Sequence, residues 1–416
     1  MTFTDEAADR FLGKYTLLAT ADVSVVQSVR LNMTSHMGTL LYARSTSRFT
    51  YSPPVLEANI MQMLHEELPY VVDTELPKTS DWTSIKLQQP LLRMIAILSG
   101  RVFVGSPLNR NEEYLEALMG YTLDCFNGAA KLHEYPKILH PLARYLVPEL
   151  GNVWRHYNTF HKFLTPVVTA RNSGEKKDDL LQWIIENAGE KRYDMRFVTE
   201  GQLNLSLAAI HTTTNTLLHA FYDLAAHPEY IEPLREEAQA VMDTEGAMIS
   251  KANVVRLRKL DSFMKESQRH NPSSIVTMNR KVFKPFTFSD NKTIPAGSYF
   301  AMASSCVGMD PEVWDRPEEF DGFRFERMRQ ERGNENKYQF ATTSPDAFYF
   351  GHGTHSCPGR FFATNEMKAL LCHIITTHDF QLEDRSKGRP PNLTRGLQTP
   401  ADPSVKLFFR RRATKP

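Results

Sequence analysis

A mainly α-helical chain carrying small β-sheets, an α+β protein, is predicted by three features of the sequence. Apolar residues recur at three- and four-residue spacing through most of residues 1–260, the period of helices with a buried face. Between Ile275 and Ser305 the pattern shortens to strand-like runs separated by turn residues. A last helical run follows Pro358 and reaches about His378. With no internal repeat and no low-complexity linker, residues 1–416 read as one domain with a large buried core.

Taken in order, the opening stretch Met1 to Tyr15 carries acids and lacks the apolar centre of a signal peptide. Leu91 to Gly105 is the most apolar run, but Arg93 and Arg101 interrupt it. A membrane span needs roughly 18 unbroken apolar residues, so a buried amphipathic helix is expected there, and the chain as written reads as soluble. Further helices are expected over Glu112–Leu132, Val153–Val168 and Val198–Leu224. The last has Thr199 near its start and stops before His227-Pro228, and another, Leu257–His270, is closed by Asn271-Pro272. Strands are expected at Val276–Met278, Phe286–Phe288 and Tyr299–Met302, with turns at Ser289-Asp290-Asn291 and Pro295-Ala296-Gly297. Asp310 to Pro345 is polar and irregular, the mark of a segment wrapped over something or serving a function.

A formal charge of +1, without a Lys/Arg stripe among aromatics, argues against nucleic acid as a partner. Four cysteines make no disulfide framework and suit a reducing compartment.

The densest signal is Phe350-Gly351-His352-Gly353-Thr354-His355-Ser356-Cys357-Pro358-Gly359-Arg360. Three glycines around one cysteine suggest backbone passing close to something flat or bulky, and a haem iron held by a thiolate fits best. Pro358 suits the first position of a helix, which would put the sulfur at a helix N-terminus where free amides stabilise a thiolate. Phe350 would shield the ligand and the glycines would let the loop pass beneath the ring. Two other readings stay open at this point. Cys357 could be a buried small hydrophobe, or it could join His352, His355 and either Cys372 or His373 around zinc, although no C-x-x-C pair accompanies it.

Three more groups bear on the choice. Glu266 and Arg269 share a helix face at i, i+3 and can pair. Arg324 lies between two phenylalanines, so it is expected to be partly buried and to need a partner; these three charges could lock helix, wrap and cysteine loop together. Ala208-Ala209-Ile210-His211-Thr212-Thr213-Thr214 sits in a long apolar helix, where threonines can bond back to the i−4 carbonyl and loosen the ladder. That run is either a helix-crossing point or a groove where hydroxyls handle protons.

Together these residues resemble the cytochrome P-450 family of haem-thiolate monooxygenases over essentially the whole chain. Its signature Phe-x-x-Gly-x-(Arg/His)-x-Cys-x-Gly falls on Phe350, Gly353, His355, Cys357 and Gly359, with Ala363 following. Its Glu-x-x-Arg helix matches Glu266 and Arg269, its meander arginine Arg324, and its oxygen-activating helix Ala208 to Thr213. The variant is similar to the fungal secondary-metabolism branch of kaurene oxidase and the indole-diterpene oxidases, sharing Ala208–Thr213, Leu260–Glu266 and Phe350–His355.

The resemblance implies haem b with Cys357 as the axial ligand of iron, its electron donation favouring O–O cleavage. It implies His355 and Arg280, with Arg30 as a third candidate, as haem propionate contacts. Ala208 would line the distal face, while Thr212, with Thr213 and His211, would manage protons. Electrons would come from an NADPH-cytochrome reductase, since no flavin or nicotinamide fingerprint occurs here. The substrate would be a small apolar terpenoid-like molecule, in a pocket formed by the N-terminal helices and the strands near Ile275 to Met278. The protein would be a monomer at the cytosolic face of the endoplasmic reticulum, so cytoplasmic or peripheral to the membrane. Two departures stand out: His211 replaces the usual acid of the oxygen helix, and the membrane anchor, hinge, first helix and opening strands of the family have no counterpart. Their absence would leave a sheet edge uncovered. A haem-thiolate isomerase or dehydratase that does not activate oxygen, and a non-catalytic haem-binding remnant, are the competing functions.

Overall fold

The computed structural model describes residues 12–18, 23–33, 60–243 and 253–413. Most of the acidic opening stretch, residues 1–11, lies outside them. The main helices are α1 (Ile60–Glu75), α2 (Gln88–Phe103), α3 (Glu112–His133), α4 (Pro148–Asn172), α5 (Met195–Ala226), α6 (Ile231–Asp243), α7 (Arg258–His270) and α8 (Arg360–Thr377). The strands are β1 (Thr83–Lys86), β2 (Thr277–Lys281), β3 (Phe286–Thr287), β4 (Thr293–Ile294), β5 (Tyr299–Met302), β6 (His378–Leu382) and β7 (Lys406–Arg411).

The Leu91–Gly105 run becomes α2, buried almost all round rather than along one stripe. Its interrupting cations make this possible. Arg93 reaches Glu75 and Glu112, both at 2.9 Å, and Arg101 reaches Glu66 at 3.2 Å, so each charge leaves the core paired. No helix among the described residues is long and apolar enough to cross a membrane.

α5 starts earlier than Thr199, because Asp194 caps it by accepting from the amides of Arg196 (2.9 Å) and Phe197 (3.3 Å). Thr199 instead donates to Met195 O inside the helix at 2.6 Å. α5 packs against α2, α3, α4 and α7 and crosses a core cluster whose members run from Leu17 to Phe409.

Three expected strands form, and four others were not expected. β6 follows α8 without a turn residue, at the place where the helical period runs out; His378 simply goes extended (φ −132°, ψ 147°). In β7 the buried Leu407 and Phe409 alternate with residues that include Lys406 and Arg410, which hide the strand pattern among charges. β1, β7 and β6 make a three-stranded antiparallel sheet, with Phe409 opposite Thr83 on one side and Phe380 on the other. β2 pairs with β5, and β3 with β4, as two-stranded sheets. β5 is exposed along its whole length, and among the described residues it pairs on one side only.

Candidate active site

The cysteine loop is a backbone construction. The Cys357 amide donates to Phe350 O at 2.7 Å, the Ser356 amide to Gly353 O at 3.1 Å, and the Gly351 amide to Phe348 O at 2.8 Å. Gly351 (φ +70°) and Gly353 (φ +69°) take the left-handed conformation that side chains resist. A methyl group on Gly351 would come within 3.3 Å of His355 O, whereas one on Gly353 would meet no atom within 4 Å, so the loop faces open space there. Pro358 is not the first residue of the helix. Pro358 and Gly359 form a turn, and α8 begins at Arg360 with Gly359 as its N-cap. The sulfur is nevertheless at a helix entrance, with the amides of Gly359 and Arg360 hydrogen-bonding it. Burial pushes the thiol up, and those amides and the Arg360 charge oppose the push. The Arg360 guanidinium also holds Cys357 O at 2.7 Å.

Phe350 stands edge-on to Phe340 with centroids 5.4 Å apart. His355 ends a short turn, Gly353–His355, and is exposed. Cys372 is fully buried on α8 while His352 and His355 face solvent, and among the described residues no three His, Cys, Asp or Glu gather as metal ligands. The zinc reading therefore has no support there. Arg280 follows a bulge in β2, where Met278 adopts φ 54°, and its Nη1 donates to Asn279 O at 2.8 Å. Arg30 is exposed in the π-helical turn Ser28–Met33.

Along α5, Ala208 and Thr212 are exposed although Ile210, Thr213 and Thr214 beside them are buried. α5 is therefore open to its surroundings on this face, in the middle of a helix that otherwise crosses the core. The expected back-bonding is present: Thr212 Oγ1 donates to Ala208 O (2.6 Å), Thr214 Oγ1 to Ile210 O (2.8 Å) and Thr216 Oγ1 to Thr212 O (2.9 Å). With its proton committed to Ala208 O, the Thr212 hydroxyl offers lone pairs to that open face. Thr213 turns into the core instead. His211 is drawn to α3, its Nε2–H donating to Met119 O at 2.9 Å, and burial pushes its imidazole down, so it is neutral.

Glu266 is fully buried. It accepts from Arg269 at 2.7 and 2.9 Å, from Arg324 at 3.2 Å and from the Asp321 amide at 3.0 Å. Burial would push its carboxyl up; hydrogen bonds from Arg269 and His270 and the Arg269 charge outweigh that and hold it down at about 2. Arg269 Nη1 donates onward to Gly308 O and Pro317 O, both at 2.6 Å, and Arg324 to Asp315 O, Arg316 O and Glu319 O. The three charges thus lock α7 to the wrap at residues 308–321. The link toward the cysteine loop, expected of the same trio, is made on the same helix by Asp261 and Lys265. Asp261 accepts from the Phe340 amide (2.8 Å) and faces Lys368 (2.5 Å) and Arg329 (3.5 Å). Lys265 Nζ donates to Gln339 O (2.8 Å) and Thr342 O (3.0 Å). Sequence reasoning had passed over this pair. Its signal was opposite charges at i, i+4 amid Leu260, Phe263 and Met264, on a helix too apolar there to face water.

The sequence pattern of the family described as Cytochrome P450 matches residues 27–407. The chain belongs to the cytochrome P450 family. It is 40% identical over 420 residues to cytochrome P450 monooxygenase BOA4 of Botryotinia fuckeliana, covering 99% of this chain and 80% of that protein. It is 34% identical over 415 residues to cytochrome P450 monooxygenase braC of Annulohypoxylon truncatum, covering 97% and 78%. With ent-kaurene oxidase of Gibberella intermedia it shares 35% identity over 362 residues, 86% of this chain and 68% of the other. This P450 is an oxidoreductase of a family that binds haem b through a cysteine thiolate, acts on small substrates and draws electrons from a redox partner. The residues present fit that group. The loop faces open space at Gly353, Cys357 has amides aimed at its sulfur, and α5 opens at Ala208 and Thr212.

Proposed function

We propose that this P450 inserts one oxygen atom into an apolar, terpenoid-like substrate, using O2 and electrons from NADPH through a separate reductase. The balance is substrate C–H + O2 + NADPH + H⁺ giving C–OH + H2O + NADP⁺. The observation that carries the reading is the open face of α5, on which Ala208 and the Thr212 hydroxyl are exposed. Likeness to a relative named ent-kaurene oxidase supports the terpenoid class. Haem bound at Cys357 supplies the activation of oxygen.

The chain's own residues do the rest. Cys357 is the ligand, moderated by the amides of Gly359 and Arg360. Phe350 shields it, while His355, Arg280 and, third, Arg30 are the hydrogen-bond donors for the haem carboxylates. Ala208 leaves space on the opposite side. Thr212 holds a water by accepting its hydrogen bond, which places a proton beside the reacting oxygen; His211 and Thr213 set the helix geometry behind it. Residues 1–416 work as one domain and as a monomer.

Reconstitution with an NADPH-dependent reductase, isotope-labelled dioxygen and a diterpene hydrocarbon tests this. Label should enter the product. In Thr212→Ala, NADPH consumption should persist while product per NADPH drops roughly a hundredfold, the low end for positioned proton transfer. Product formed without NADPH would reject the monooxygenase reading and favour an isomerase or dehydratase.

Localisation has its own support. Between α3 and α4, Ile138, Leu142, Tyr145 and Leu146 are 86%, 71%, 73% and 71% exposed, with Lys137 and Arg144 among them. Large apolar side chains flanked by cations suit a bilayer interface, here the cytosolic face of the endoplasmic reticulum. The double variant Leu142→Glu/Leu146→Glu should lose liposome binding by about tenfold or more, since each buried leucine contributes roughly 1.5–3 kcal/mol. Unchanged flotation with vesicles containing anionic lipid would count against this contact.

A further inference from the structure

We propose that Asp261 and Lys265 are positioning residues for the Cys357 sulfur, acting separately from the Glu266–Arg269–Arg324 cluster. The inference rests on the reading that Cys357 carries the haem.

One helix, α7, carries both sets of charges, and they grip different parts of the chain. Glu266 and Arg269 hold residues 308–321. Asp261 and Lys265, one turn apart, hold residues 339–342 at three points: the Phe340 amide, Gln339 O and Thr342 O. Phe340 is 1% exposed and meets Phe350 edge-on. Phe350 O in turn receives the Cys357 amide at 2.7 Å. That is the approach to the sulfur from its N-terminal side.

The C-terminal side is held by the same carboxylate. Lys368, 2.5 Å from Asp261 Oδ1, lies two turns into α8, the helix whose first residue, Arg360, grips Cys357 O. Asp261 therefore brackets the cysteine loop from both ends, through Phe340–Phe350 and through Lys368. Arg329, 3.5 Å away, adds a second cation to the carboxylate.

Stability alone does not account for this arrangement. Asp261, Lys265 and Lys368 are 3%, 2% and 5% exposed, and well-packed apolar side chains of similar volume are often as stabilising as a buried ion pair. What charges add, and apolar contacts do not, is a fixed direction and register. A loop built on backbone bonds with glycines at φ +70° and +69° has little side-chain packing of its own to set where its sulfur lies.

The test is the carbon monoxide spectrum of reduced, haem-loaded full chain, with variants compared at equal haem content. Wild type should show the long-wavelength Soret band of thiolate ligation. In Asp261→Asn, which keeps an acceptor for the Phe340 amide but loses the charge facing Lys368, the ratio of thiolate to neutral-thiol bands should fall at least about threefold, the lower range for coupled neighbours. Asp379→Asn is the control: it breaks the Arg235, Arg410 and Arg412 pairs at β6 and should leave the ratio unchanged at a comparable loss of melting temperature. Should Asp261→Asn yield no soluble protein, Lys368→Met carries the same expectation, because it frees only the α8 end. A thiolate band present in wild type and undiminished in these variants would overturn the inference alone. Its absence from wild type would overturn the haem reading of Cys357, and this inference with it.

Discussion

Cys357→Ser abolishes the thiolate Soret band and monooxygenase turnover while leaving the polypeptide folded. The backbone bonds that shape the loop do not involve the sulfur: the residue 357 amide still reaches Phe350 O, and Arg360 still reaches the 357 carbonyl. Serine keeps the volume nearly constant, so the apo fold should lose no more than about 1.5 kcal/mol, the usual ceiling for a volume-conserving swap. The hydroxyl, by contrast, does not ionise in a site where burial already pushes even a thiol up. The amides of Gly359 and Arg360, placed to moderate a thiolate, would face a neutral oxygen. Circular dichroism of the apo protein, paired with the reduced carbon monoxide spectrum, separates the two effects. Retention of the thiolate band in Cys357→Ser would mean that another residue holds the iron. Loss of secondary structure would return Cys357 to the role of a packing residue.

How far the sequence reached depends on which interactions were local. The cysteine loop was legible because its constraints are short-range: glycines for left-handed backbone, a cysteine, then a helix. The threonine run was legible for the same reason, since i to i−4 back-bonding needs no partner from elsewhere. The error over Pro358 was also local. Proline is compatible with the first helical position, but here the turn Pro358-Gly359 puts Gly359 in the cap and lets the amides of both Gly359 and Arg360 reach the sulfur. Non-local partners were another matter. Asp261 and Lys368 are 107 positions apart, and nothing in a helical period says that a buried aspartate will find a lysine on another helix. β6 and β7 were missed because strands are fixed by pairing, and their pairing partners lie outside any local window. Glu266 and Arg269 fall between these cases: i, i+3 spacing gave the pair, whereas its complete burial is set by α7 packing under the wrap.

That burial makes Glu266→Gln the most damaging single change expected outside the cysteine loop. Glu266 and Arg269 are both fully desolvated, and Arg324 is only slightly exposed. Removing the carboxylate leaves two guanidinium groups facing an amide, and breaking a buried pair in this way costs about 3–5 kcal/mol. Native domains have about 5–15 kcal/mol in all, so the variant should express poorly and lose haem readily. The same site sets an acid limit. In the folded chain the Glu266 carboxyl titrates near 2, below the ordinary value of 4.5 that it regains on unfolding. Above pH 4.5 it is ionised in both states and its ion pairs contribute in full; as pH falls from 4.5 toward 2 the unfolded chain takes up the proton first, and that contribution drains away. The loss amounts to on the order of 3 kcal/mol. Denaturant titrations of wild type across this window should therefore show stability falling with acid, and Glu266→Gln should show a shallower fall from a lower start. Equal acid slopes in the two proteins would mean that other carboxylates, such as Asp379, which against the push of burial its arginine partners hold below the usual range, carry the acid sensitivity, and that the Glu266 cluster is less tightly paired than its geometry indicates.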